Sequence, residues 1–395
     1  MAVPPHPESA SIKAFLVRLC EGIQTTSALR RFLLKHPLLV IELGFHLILQ
    51  PDALYGIDCH HTLPCDQRLR EKLHTLDRTL VQSLLTGTVH ALTDEIPGLG
   101  EVVAFDVKHI YAWVRENNPR ESIKDRFLKT RQPAGDPDCK VGVKRSSNQE
   151  QPDGTTKEKK EYLWGYGTGV AAAITPDYGD VVLAEYTQPF NQGDVTFYHP
   201  LYQRTVLALD TFPLHVTADA AFDAWHVYQT VAVHGGMAAI PKNEYGHPPV
   251  ERAADGTPFC PKGLLMHPTY QFAHPNGYRA QIYRCPLYFP SSTTEATCDH
   301  PQFTAAKGCV KHVNIEKGGI MRVALDREGP LYKAIYTQRT SCERINSQAK
   351  ELGIERPKVR NRRSVANLNT LTYIVINVRA LHRAKSINLG LLQIH

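Results

Sequence analysis

The segment "YTQRTSCERINSQAKELG", Tyr336–Gly353, decides how the rest of the chain is read. Its residues Tyr336, Arg339, Glu343 and Lys350 are spaced by three, four and seven positions. At about 100° per residue on an α-helix, these side chains fall within an arc of roughly 60°. They share one face of a predicted helix, and that face is polar and mixed in charge. A stripe of this kind is either a solvated helix surface or half of a catalytic site.

Downstream comes the basic turn "IERPKVRNRR" and then "SVANLNTLTYIVINVRALHRAK", apolar at Leu368, Leu371, Ile374, Val375, Val378 and Leu381 with a helical period. Between Arg339 and Arg363 stand eight basic residues and three acidic ones. A local excess of this size suits a polyanion, whose counterions it displaces. The whole chain is less telling: 45 Lys and Arg against 39 Asp and Glu give a net charge of +6.

Upstream, residues 1–95 read as helical, with "SIKAFLVRLCEG", "SALRRFLLKHPLLVIELGFHL" and a long run from Asp66 to about Leu92. A small helical bundle is expected there, which binds DNA, docks a partner subunit or only packs. At Glu101 the texture changes. "EVVAFDVKHIYAWV" is a β-branched and aromatic run that reads as a strand and sets Asp106 among apolar neighbours. A charged excursion without sustained period, about 115–160, follows. Strands resume at "YLWGYGTGVAAAI" and "GDVVLAEYT", then a helix across "DVTFYHPLYQRTVLAL", a strand "FPLHVTADAAF" reaching Asp219, a helix "DAWHVYQTVAVHG" and a strand "MAAIP". Residues 243–330, rich in Pro, Gly, Cys and His, read as an inserted β-rich domain with short segments such as "YRAQIYRC" and "IMRVAL". The expected organisation is therefore a helical region 1–95, a core 96–242, the insert 243–330, and the closing core helices 331–395.

A strand with Asp, further strands, a helix, a strand ending in Asp, and a late helix with Glu give the order of an RNase H-like mixed α/β sheet flanked by helices. The residue types suit phosphodiester chemistry. Two hard cations about 3.5–4 Å apart activate the attacking oxygen and stabilise the leaving one. Mg²⁺ takes a few carboxylates plus water and phosphate. Carboxylates crowded together stay ionised only with metal bound. Asp106, Asp219 and Glu343 are the candidate ligands. Taken singly, Asp219 reads first as a helix N-cap and Glu343 as a surface charge.

The combination resembles the DDE transposases of bacterial insertion sequences, in the group whose third carboxylate lies in Y-x2-R-x3-E-x6-K. Tyr336, Arg339, Glu343 and Lys350 match that pattern at every spacing, "FDVKHIYA" is similar to the first-Asp strand, and "VTADAAFDA" to the second-Asp block, with Ala221 where the family often has Gly. The resemblance covers roughly residues 101–385. It implies an RNase H-like core, two Mg²⁺ or Mn²⁺ ions held by Asp106, Asp219 and Glu343, cleavage at the ends of an element, and strand transfer into target DNA. Arg339 and Lys350 would bind backbone phosphates and Tyr336 would brace the DNA end. Arg344, Lys358, Arg360, Arg362 and Arg363 are flanking DNA-contact candidates. The bland alternative for Arg339 and Lys350 is pairing with Glu343 along the helix. The partner would be double-stranded DNA, held by a homodimer at least. An RNase H-like nuclease that never joins strands and a catalytically silent DNA-binding protein derived from a transposase are the rival readings.

Nine cysteines, an odd number, argue against a disulfide framework. Cys260, Cys285, Cys298 and Cys309, with His300 or His312 as substitutes, would make a four-ligand zinc site, but no C-x2-C pair supports it. Reduced core thiols are the other reading. No apolar run long enough to span a bilayer interrupts the chain, and "MAVPPHPESA" lacks the order of a signal peptide. A cytoplasmic, nucleoid-associated protein is expected.

Overall fold

The structure is a computed structural model that describes residues 6–150, 156–243, 250–289, 297–305 and 308–392. The fold is mixed α/β, with antiparallel and parallel strands flanked by helices. It divides into two compact units, Met1–Phe212 with Gln338–His395, and Pro213–Thr337. The boundary thus falls well before the expected insert at residue 243. Among the described residues no helix is long and apolar enough to cross a membrane.

The first unit begins with α1 (Glu8–Cys20), α2 (Thr26–Leu34), α3 (Pro37–Leu43), α4 (Cys59–Thr62), α5 (Asp66–Thr75) and α6 (Arg78–Glu95). The single run expected from Asp66 to Leu92 is two helices. Leu76 and Asp77 leave helical geometry, and the Asp77 carboxylate caps α6 by accepting the Thr79 N–H at 2.9 Å. Strands β1 (Val102–Tyr111), β2 (Lys140–Glu150), β3 (Thr156–Thr175) and β4 (Gly179–Pro189) follow, then α7 (Val195–Leu209). The long β3 is the hub: it pairs antiparallel with β1, β2 and β4. The excursion expected over 115–160 is therefore partly a β-hairpin. Polar residues run consecutively along this stretch of the sequence, which sets Lys144 opposite Glu161, so no apolar alternation marks it. Residues 151–155 of that stretch lie outside the described residues.

Glycines in β3 explain how α7 covers the sheet. A Cβ on Gly167 would lie 2.7 Å from Phe197 Cζ, and one on Gly169 would lie 2.7 Å from Leu201 Cδ1. The missing side chains let these two helix residues lie directly on the strand.

In the second unit β5 (His215–Ala218) runs parallel to β6 (Met237–Ala239), with α8 (Trp225–Ala232) as the crossover. Next come β7 (His267–Ala273), β8 (Arg279–Arg284), the short α9 (Pro301–Thr304) and β9 (Val310–Asn314), and the three strands form an antiparallel sheet. "IMRVAL", expected as a β segment, lies largely in α10 (Lys317–Ala324). The preceding Gly318 has room only for a hydrogen, since a Cβ there would meet the Gln229 backbone nitrogen at 2.4 Å, so α10 packs backbone to backbone on α8. The unit ends with α11 (Pro330–Tyr336).

The chain re-enters the first unit through α12 (Thr340–Glu351) and α13 (Arg362–Leu392). The helix expected over 336–353 is thus interrupted by a 3₁₀ turn at Thr337–Arg339. α13 is buried without break from Ser364 to Asn377. It packs against α1, α5, α6 and β4, so the N-terminal helices belong to the core of the first unit rather than to a bundle of their own. Polar groups along this buried stretch are matched individually. Asn377 accepts the Val182 N–H at 2.9 Å and donates to the Val182 carbonyl at 2.8 Å, taking the place of a neighbouring strand on β4. Glu185, also on β4 and fully buried, accepts hydrogen bonds from Arg78 at 2.9 Å, Gln82 at 2.5 Å and Thr370 at 2.6 Å. Burial alone raises the pKa of Glu185, but Arg78 and Arg204 outweigh it and hold the carboxyl below its ordinary value.

Candidate active site

Alternation along β1 sorts its side chains. Phe105 packs on Tyr198 of α7, with ring centroids 4.9 Å apart, while Asp106 and Lys108 point to the opposite face. There α12 lies on the strand. Its buried residues Ser341, Cys342, Ile345, Asn346 and Ala349 follow a helical period, and one of them is an amide. Asn346 Nδ2 donates to Asp106 Oδ2 at 2.8 Å. An ionised carboxylate only accepts, so the amide nitrogen must face Asp106, which leaves Asn346 Oδ1 buried with no partner among the described residues.

Glu343 sits one turn before Asn346 on the same helix. Its carboxylate is half-exposed, and Arg339 donates to it at 2.6 Å. The i,i+4 pair is thus made, so Arg339 neutralises the third candidate carboxylate directly. Lys350 is exposed, with its Nζ 4.0 Å from Glu355. Arg344 is bound to Asp180 of β4 by two 2.7 Å hydrogen bonds, which fasten α12 to the sheet. The buried Cys342 thiol is pushed well above its ordinary pKa, by burial and then by the neighbouring Asp106 charge.

The basic turn between α12 and α13 forms a groove with the end of β1. Arg356 lies over the Tyr111 ring at 4.1 Å, Arg360 over Trp113 at 5.0 Å, and Lys358 over Trp113 at 5.9 Å. Trp113 is 41% exposed. Aromatic faces hold these cations without neutralising them, so their charge stays available to an anion. Lys350, Arg356 and Lys358 line one continuous depression. Arg362 and Arg363 face a different cleft, where Arg363 donates to the Leu76 carbonyl at 3.0 Å.

In the second unit Asp219 follows directly on β5. One of its oxygens accepts the Ala221 N–H at 2.9 Å, the N-cap geometry that an isolated reading of this residue anticipates. Asp223, four residues on, is the more elaborately bound. It pairs with Arg322 through bonds of 2.8 and 2.7 Å and accepts from the Tyr228 hydroxyl and the Asn243 N–H. Tyr336 ends α11 with its ring stacked on Tyr332, centroids 5.7 Å apart. Cys260, Cys285 and Cys309 pack with Met266 in a small apolar cluster, and Cys309 Sγ lies 3.6 Å from His300 Nδ1. Cys298 is half-buried, and all four are free thiols. Within this unit no three of the described His, Cys, Asp and Glu side chains are arranged to hold a metal ion.

Asn346 is the site residue that the spacing argument misses. Its signal is a polar side chain where the period of Cys342, Ile345 and Ala349 calls for an apolar one. β1 and α12 carry hard oxygen donors: the Asp106 carboxylate, held by Asn346, and the Glu343 carboxylate one turn before Asn346. That donor chemistry suits Mg²⁺ or Mn²⁺. No family model matches the chain, and no curated protein or solved structure matches it either.

Proposed function

We propose that this chain is a DDE-type DNA transposase, with an RNase H-like core that cuts a strand at each element end and joins the freed 3′-hydroxyl to target DNA. The observation that carries this reading is the hydrogen bond from Asn346 to Asp106. It ties the strand with the first carboxylate to the helix with Glu343, in a chain whose Tyr336, Arg339, Glu343 and Lys350 keep the signature spacing.

Asp106 and Glu343 would hold divalent metal, and the reading assigns the remaining carboxylate to Asp219. When bound, two such ions supply the Lewis acidity that activates the attacking oxygen and stabilises the leaving one. The chain's own residues do the rest. Asn346 fixes the direction of the Asp106 carboxylate. Arg339 balances Glu343 and stands ready to exchange that partner for a phosphate. Lys350, Arg356 and Lys358 grip the backbone along their groove and carry no sequence information. Cleavage and joining are both in-line displacements at phosphorus, so one site serves both.

The test uses a labelled duplex bearing the inverted repeats that this reading expects to flank the reading frame, a supercoiled acceptor and Mg²⁺. Metal-dependent nicking and joined product are expected, and Asp106→Asn, Asp219→Asn or Glu343→Gln should each abolish both. Nicking without joining would favour a nuclease. Calorimetric titration showing no Mn²⁺ binding would favour a catalytically silent DNA-binding protein.

A further inference from the structure

Five cations of the first unit converge on an open cleft of about 660 Å³: Arg78, Lys140, Arg204, Arg362 and Arg363, with Asp138 at its wall. The first three come from α6, β2 and α7, distant in sequence from the basic turn. Among the described residues the cleft's wall carries one acid, Asp138, and Arg78 is bonded to the buried Glu185, so the five cations exceed these two acids by three. Most of the cations are held by neutral oxygens. Lys140 donates to Gln132 Oε1 at 2.8 Å, Arg362 to the Thr187 carbonyl at 3.3 Å, and Arg363 to the Leu76 carbonyl at 3.0 Å. Arg204 lies over the Tyr186 ring at 5.0 Å. Carbonyls and rings position a cation without cancelling its charge, so the cleft is pre-organised for an anion.

The arrangement fits a chain of phosphates better than a single one, because the positive groups are spread over three helices and a strand. It shares no residue with the depression lined by Lys350, Arg356 and Lys358. Among the described residues the one aromatic ring at its wall, Tyr186, is covered by Arg204 and is not placed to stack on a base. We propose that this cleft is a second nucleic-acid contact, which grips the phosphodiester backbone of duplex DNA apart from the stretch held beside the carboxylates. The proposal rests on the DNA reading given above.

The experiment measures binding of a labelled duplex by fluorescence anisotropy in EDTA, over a series of salt concentrations. It compares the wild-type chain with the double variant Lys140→Gln/Arg363→Gln, which leaves Glu185 and its partners intact. Loss of two phosphate contacts should weaken binding by about tenfold or more and flatten the slope of log K against log salt by about 2. The charge-keeping double variant Lys140→Arg/Arg363→Lys should bind as wild type, and equal melting temperatures exclude misfolding. Unchanged affinity and slope in the glutamine variant would overturn the proposal. Displacement of the duplex by stoichiometric tripolyphosphate would also overturn it, because the cleft would then be a small-anion site. No divalent metal is present, so failure of the catalytic reading in the cleavage assay leaves this result standing. A wild-type chain that ignores duplex DNA sinks both.

Discussion

Asn346 divides one amide between two tasks, since its nitrogen is spent on Asp106 and its oxygen is left over inside the protein. Removing it in Asn346→Ala should weaken Mn²⁺ binding by about 10–100-fold, the usual cost of losing a group that orients a metal ligand; isothermal calorimetry would measure it, and an unchanged affinity would strip Asn346 of that role. Glu185 shows the same sequence signal as Asp106, an acid inside an apolar strand, with a different answer. Asp106 is half-buried and meets one amide from α12, whereas Glu185 is enclosed by Arg78, Gln82, Thr187 and Thr370. Glu185→Gln would leave Arg78 and Arg204 without their counter-charge, and a loss of about 3–5 kcal/mol is expected in urea unfolding. Sequence alone does not separate the two acids, because the groups that meet them, Thr187 apart, arrive from more than a hundred residues away.

At the scale of elements, long apolar periods are legible and polar ribbons are not. The strand at Asp106, the strand before Asp219 and the helix from Arg362 stand where their patterns place them, because the apolar residues of each must be buried. The β2–β3 hairpin hides in a charged stretch because consecutive polar residues there break the apolar alternation by which a strand is recognised. The break at Asp77 is visible only as a cap, and the 3₁₀ turn before α12 leaves no mark in the spacing that it interrupts. On α13, Asn377 looks like an ordinary polar residue in a hydrophobic helix until Val182 is found bonded to both ends of its amide. Asn377→Ala would strand two backbone groups, and thermal unfolding should show a loss of about 2–4 kcal/mol.

For the whole molecule, the sequence shows which pieces carry charge and acid but not how they are partitioned. The N-terminal helices share a core with α13, and the strand before Asp219 belongs to the unit that also holds Cys260, Cys285, Cys298 and Cys309. A pH dependence follows from that first core. Burial, then Lys144 and Lys108, lower the pKa of His109 from 6.5 to about 4. The unfolded chain therefore takes up a proton that the folded chain refuses, so stability should rise with pH from about 4 to 6.5 and stay level above. Glu185 adds a further loss at lower pH, below the ordinary carboxylate range. Melting temperatures recorded across pH 4–7 should show the first slope, and His109→Gln should flatten it. The amide of Asn377 also has a bearing on biosynthesis. β4 leaves the ribosome long before α13, and until that helix docks, the strand margin at Val182 is open to any extended polypeptide that meets it. Chains truncated before residue 363 should therefore collect in inclusion bodies by strand addition, even with every acidic residue of the proposed site in place.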